Sequence, residues 1–198
     1  MGKQFGTIIS LWMFLMVAPV FAQQVDLAFA AGSLLSSGGS FNSLGFVPAE
    51  GGGTFVGFNG DVLFRKNLGV QGEVNWRASQ GLYAGTFPDR PFFWNFNAIY
   101  VRRFSYRLGV EVLGGIGGES IRFYQGAYSC DTMGNCSKYS SSNHFMADLG
   151  AGVRLYVYRR FFVRPEMRLY LVHNNVEFSS SFPVRYGASL GYSFGGRD

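Results

Sequence analysis

The chain of 198 residues has only 15% charged residues against 18% aromatics, with 28 glycines and a formal net charge of +5. That length suits one domain or one closed barrel rather than two domains, and so little charge argues against a soluble helical enzyme. The lysines are Lys3, Lys66 and Lys138 and the other basic residues are arginines; no basic patch with interleaved aromatics stands out along the chain, so no nucleic-acid partner is expected.

The first element is a targeting signal. Met1-Gly2-Lys3 is a short positive start, Thr7 to Ala18 (TIISLWMFLMVA) is apolar, and Pro19 ends the run. Val20-Phe21-Ala22 then sets compact residues before Gln23, as signal cleavage requires. The run falls short of the roughly 20 residues of a spanning helix. Residues 1–22 therefore read as a cleaved secretory signal peptide, with an uncleaved anchor as the alternative. No cysteine follows the cleavage point, which argues against a lipoprotein. Residues 23–198 are then either soluble outside the cytoplasm or a barrel in a membrane.

From Gln23 onward eight segments alternate in polarity, separated by turn chemistry. Val25, Leu27, Phe29 and Ala31 alternate with Asp26, Ala28, Ala30 and Gly32. Val56, Phe58, Val62 and Phe64 oppose Asn59, Asp61 and Arg65. The third segment sets Leu68, Val70, Gly72, Val74 and Trp76 against Gln71, Glu73, Asn75 and Arg77. Phe92, Trp94, Phe96 and Ala98 alternate with Asn95 and Asn97. Leu108, Val110 and Val112 oppose Gly109 and Glu111. The sixth has Leu149, Ala151, Val153, Leu155 and Val157 against Asp148, Arg154, Tyr156 and Tyr158. Next come Phe161, Val163, Met167, Leu169 and Leu171 against Arg164, Glu166, Arg168 and Tyr170. The last sets Val184, Tyr186, Ala188, Leu190, Tyr192 and Phe194 against Arg185, Gly187, Ser189, Gly191 and Ser193.

Alternation alone also fits a soluble sandwich or lipocalin. The polar face decides, because it mixes charges with many small residues, while the other face is almost unbroken Val, Leu, Phe and Tyr. Eight strands enclose an interior just wide enough for side chains. Small residues plus opposite charges would fill it, leaving the apolar face for lipid and, once closed, no open strand edge. The expected lumen network comprises Asp26, Asp61, Glu73, Glu111, Asp148 and Glu166 with Arg65, Arg77, Arg154, Arg164, Arg168 and Arg185. Its signs roughly cancel, as buried charges demand, and arginine suits bidentate pairing with carboxylates. Charges scattered over a solvated sheet face are the alternative.

Connection lengths alternate as well. Lys66-Asn67, Ser105-Tyr106 and Arg159-Arg160 mark tight turns, whereas Leu34 to Gly53, Ser79 to Pro91, Gln125 to Asn143 and Ser179 to Pro183 read as longer loops. Short turns on one side and long loops on the other suit an outer-membrane barrel with its loops outside the cell. Aromatics bracket the strands, with Phe64, Phe104, Phe161, Tyr192 and Phe194 at one end and Trp76, Phe92 and Trp94 toward the other, like interfacial girdles.

Candidate chemistry is sparse. In an exported chain, Cys130 and Cys136 read as a local disulfide in the third loop; two free thiols are the alternative, and a metal site lacks histidines nearby. His173 falls by parity on the lipid side with Asn175 and Glu177. A lipid A deacylase would need a serine two residues after the histidine, and Asn175 stands there. His144, at a loop edge, reads as solvated. The pairs Glu73/Asp61 and Glu166/Asp148 read as ion-pair members rather than acid–base dyads. Leu113-Gly114-Gly115-Ile116-Gly117-Gly118 lacks the Lys-Ser/Thr of a phosphate loop. No catalytic residue, metal or cofactor is expected.

The last strand carries a family signal. Arg185-Tyr186-Gly187-Ala188-Ser189-Leu190-Gly191-Tyr192 resembles the terminal β-signal read by the barrel-assembly machinery, with Phe194 followed by Gly195-Gly196-Arg197-Asp198 where many members end on the aromatic. With the signal peptide and eight segments, the chain resembles the OmpA-like and OmpW-like small outer-membrane barrels. The resemblance implies an all-β, eight-stranded antiparallel up-and-down transmembrane barrel over 23–198 in the outer membrane. It also implies barrel-assembly machinery contact through 185–194 and no peptidoglycan-binding domain after it. The expected role is structural or surface interaction through the long loops. A narrow channel for small molecules is the alternative, and a lipid A-modifying enzyme is a third reading.

Overall fold

The computed structural model describes residues 24–42, 45–64, 67–130, 134 and 136–195. The signal segment 1–22, Arg65, Lys66, part of the third loop tip (131–133 and 135) and Gly196-Arg197-Asp198 lie outside the described residues. The strands in chain order are β1 (Gln24–Leu35), β2 (Ser40–Asn42), β3 (Gly45–Val47), β4 (Thr54–Leu63), β5 (Leu68–Arg77), β6 (Gly81–Tyr83), β7 (Phe87–Arg103), β8 (Leu108–Cys130), β9 (Cys136–Tyr158), β10 (Phe161–Val172) and β11 (Val184–Gly195).

Among the described residues, eight of these strands make one closed up-and-down barrel, β1-β4-β5-β7-β8-β9-β10-β11. Every pairing is antiparallel, and β11 returns to β1 in register from Gln24↔Gly195 to Leu35↔Val184. Closure leaves no barrel strand with an unpaired edge. Period-two alternation directs the side chains: along β10, Arg164, Glu166, Arg168 and Tyr170 turn inward, while Phe161 and Met167 turn outward. The outer surface is apolar all round. Leu27, Phe58, Val74, Phe96, Val112, Leu149, Met167 and Leu190 are exposed on it, side chains that a water-soluble barrel would bury.

Three stretches expected to be loops contain strand, Leu34–Gly53 holding the short β2–β3 ribbon. Ser79–Pro91 holds the β6–β7 hairpin, turning at Ala84 and Gly85, both with positive φ (49° and 73°). Within Gln125–Asn143, the described residues up to Cys130 and from Cys136 belong to a ribbon in which β8 and β9 run on past the barrel. Their pairing continues from Ser120↔Asn143 to Tyr124↔Tyr139, shifts, and resumes at Ser129↔Ser137. The Cys130–Cys136 disulfide closes this ribbon. Ser137 to Asn143 alternate no apolar face because water lies on both sides of the ribbon, which is why the sequence pattern hid it.

The lumen is filled in layers. Toward the long loops Leu34, Phe55, Phe93, Met146, Tyr170 and Val172 form an apolar seal, with Phe93 stacked on Tyr170 at 5.2 Å. Leu63, Ile99, Val101 and Leu113, and separately Ala28, Tyr156 and Phe162, line the side nearer the short turns. The expectation of an interior holding only small and charged residues is therefore corrected: the charges lie between apolar groups. Inward glycines make room for them. A Cβ at Gly150 would stand 3.0 Å from Cγ of Arg168, and one at Gly152 3.2 Å from Cγ of Arg164.

Candidate functional site

The central layer is built on two pairs of arginines. Arg154 on β9 binds Asp26 of β1, Asp61 of β4 (2.5 Å) and Glu111 of β8. Arg164 on β10 reaches Asp61 at 2.9 Å, Glu111 at 3.1 Å and Oδ1 of Asn59 at 2.8 Å. Arg168 binds Glu73 and stands 3.6 Å from Glu166 and 3.7 Å from Asp148, its Nη2 also donating to Oε1 of Gln71 at 2.7 Å. Arg185 on β11 joins Glu73 at 2.6 Å and Glu166 at 2.7 Å. Glu166 ties the halves together through Nε of Arg164 at 3.1 Å. Amides saturate further carboxylate oxygens: Gln24 donates to Asp26 at 2.6 Å, Gln71 to Asp61 at 2.7 Å and Asn95 to Asp148 at 2.9 Å. Such mutual neutralisation lets charges stay ionised away from water.

Two residues assigned to this layer from sequence are not seen in it. Arg77 stands at the long-loop mouth, 3.8 Å from Asp89, and Arg65 lies outside the described residues. Four arginines therefore meet six carboxylates, Asp26, Asp61, Glu73, Glu111, Asp148 and Glu166. Of the six arginines expected there, four are placed in the layer among the described residues. Arg77 escapes because it is the last residue of β5, at the rim where the sheet ends.

The mouth holds a second polar group that sequence reasoning missed. Glu50 from the first loop and Glu119 of β8 are both buried and face one another. Burial, then the negative charge of Glu119, pushes the Glu50 carboxyl well above the usual carboxylate range. Nothing in the Pro48-Ala49-Glu50 segment signals burial, since no periodicity links it to a strand. His144, expected to be solvated at a loop edge, is enclosed instead. Its Nε2 lies 3.0 Å from Oε2 of Glu177, and the side chain is 7% exposed. Loop 173–183 folds back over the rim to make this pair possible. Ser179 N donates to Pro48 O at 2.9 Å and Tyr83 OH to Glu177 O at 2.8 Å. Asn175 likewise leaves the lipid side and is buried, accepting a bond from Phe178 N at 3.3 Å. His173 is exposed beside it. Among the described residues no group of three His, Cys, Asp or Glu is arranged to hold a metal.

At the opposite end the fold gathers what the linear sequence scatters. Arg102, Arg103, Arg107, Arg159 and Arg160 are all exposed around the short turns, and aromatic rings lie under four of them, at 5.3–5.9 Å. The reading that no basic patch carries interleaved aromatics is thus corrected in three dimensions.

No protein-family model matches the sequence, and no curated protein matches it. Solved structures do. Neisserial surface protein A superposes with a TM-score of 0.60 at 13% identity, covering 87% of this chain and 98% of that one. The N-terminal β-barrel domain of Pseudomonas aeruginosa OprF gives 0.57 at 13% identity, covering 87% and 98%. Ail, the attachment invasion locus protein of Yersinia pestis, solved with the heparin analogue sucrose octasulfate, gives 0.52 at 15% identity, covering 86% and 97%. The chain has the fold of the small eight-stranded outer-membrane β-barrels.

Proposed function

We propose that residues 23–198 are an outer-membrane barrel, exported behind a signal peptide at 1–22, which acts without catalysis by holding its long loops rigidly outside the cell. The observation that carries this is the filled lumen, an Arg/carboxylate layer between apolar residues, which favours a scaffold over a passage. The exposed apolar belt suits lipid. The strand-end stretch Arg185–Phe194 is the segment for the assembly machinery to read. At the long-loop end, the β2–β3 ribbon presents Phe41, 84% exposed, against Phe46 at 5.2 Å. Bare aromatics outside the lipid belt suit contact with a partner surface, the kind of contact for which Ail, the attachment invasion locus protein, is named.

The test is electrical. Refolded protein in a planar bilayer is expected to show no steady openings; a reproducible unitary conductance would make it a channel. Lipid A incubated with the protein is expected to keep all its acyl chains by mass spectrometry. Loss of one would make it an enzyme.

A further inference from the structure

The short-turn end has a charge pattern that the scaffold role does not use. Arg102 and Arg103 project there from the end of β7, and Arg107, Arg159 and Arg160 from the β7–β8 and β9–β10 turns. The carboxylates nearest that end, Asp26, Asp61 and Glu111, are at most 1% exposed and already bound by Arg154 and Arg164. Among the described residues no exposed carboxylate stands at this end to neutralise the collar. Arg103 also donates to Oε1 of Gln24, which anchors it to the lumen.

The rings set the height of the collar. Phe104 carries Arg102 at 5.5 Å, Tyr106 carries Arg107 at 5.3 Å, and Tyr158 carries Arg159 at 5.4 Å. Phe161 and Phe194, exposed on the barrel wall nearby, continue the girdle at which a bilayer changes from acyl chain to headgroup. Between the Arg103–Arg107 turn and the Tyr156–Arg159 end of β9 lies an open groove of about 670 Å³. Guanidinium groups bind phosphate oxygens through two parallel N–H donors, and arginine stems can lie along apolar surface while their heads reach the polar layer.

We propose that this collar binds the phosphate groups of anionic phospholipids in the leaflet facing the short turns. The occupant follows from position: at the level of the aromatic girdle, a cluster of arginines with no exposed carboxylate beside it among the described residues meets lipid headgroups before any soluble polyanion. This rests on the membrane reading above, and the test separates the two.

The full chain is refolded into vesicles of mixed phosphatidylglycerol and phosphatidylcholine, extracted in mild detergent, and its retained lipids are identified by native mass spectrometry. Phosphatidylglycerol is expected to be enriched over phosphatidylcholine. R107Q/R159Q/R160Q is expected to lose that enrichment, at roughly five-fold per arginine, whereas R90Q/R122Q at the opposite end keeps it. A heat-dependent gel shift on the same samples reports the folded barrel. Equal retention of the two lipids by a gel-shifting wild type overturns the inference and leaves the barrel standing, and so does enrichment unchanged in the triple variant. So does capture of a short RNA in preference to phosphatidylglycerol. A wild type without a gel shift overturns the membrane reading itself.

Discussion

Replacing Arg154 with methionine keeps its length and removes its charge. The guanidinium is wholly buried and binds Asp26, Asp61 and Glu111. After the change Arg164 still reaches Asp61 at 2.9 Å and Glu111 at 3.1 Å, but among the described residues Asp26 keeps only the amide of Gln24 at 2.6 Å. Stripping one partner from a buried ion pair costs about 3–5 kcal/mol, so the folding equilibrium should fall by roughly a hundred- to several-thousand-fold. Urea titration of the protein in lipid vesicles, followed by tryptophan fluorescence and by gel mobility, measures this. Adding D26N to R154M should restore most of the loss, because the orphaned charge goes with the arginine. If R154M alone stays within about 1 kcal/mol of wild type with the same urea dependence, the carboxylates are not held by Arg154.

Three further outcomes are expected. A Cβ at Gly187 would sit 2.3 Å from Ala31 O, whereas one at Gly72 meets nothing nearer than Phe96 at 3.6 Å; Gly187→Ala should therefore cost about 1–3 kcal/mol in the same titration and Gly72→Ala far less. Replacing Cys130 and Cys136 with serine should leave the barrel's urea midpoint unchanged, since the bond closes a ribbon beyond the barrel, while limited proteolysis should cut the tip sooner; a large midpoint shift would contradict that placement. Glu50 is buried against Glu119 with its pKa raised, so the protonated form favours the docked loop: docking is firm below the ordinary carboxylate range and weakens as pH rises through the raised value. Protease cleavage within residues 36–53 should accordingly increase with pH in wild type and not in Glu50→Gln. Cleavage that grows toward acid would reverse the sign.

Strand number, faces and the site's main residues were legible because a barrel wall imposes a period of two on every segment that crosses it. Phe58, Val74, Met167 and Leu190 could be placed outward, and Arg154, Arg164, Arg168 and Arg185 inward, from parity alone. Parity gives direction but not depth, which is why Arg77 was grouped with arginines it never meets. It also treats an inward apolar residue as noise, so the seal of Phe55, Phe93 and Met146 went unread. Where water bathes both faces the signal vanishes, as in the ribbon ending at Cys130 and Cys136. The Glu50–Glu119 and His144–Glu177 contacts depend on loops folding back over the rim, which no local pattern encodes.

The lumen arginines draw their partners from distant parts of the chain. Arg154 of β9 binds Asp26, 128 residues earlier, and Arg168 of β10 needs Gln71, 97 residues earlier. The β8–β9 hairpin supplies Arg154 with Glu111 alone of its three carboxylates, and the β9–β10 hairpin cannot supply Arg168 with Glu73 or Gln71, so a half-formed sheet leaves both sites incomplete. Closure between β1 and β11 is then the step at which those charges are first enclosed. Partly closed forms should be sparsely populated, and the barrel should appear and disappear as a single cooperative unit.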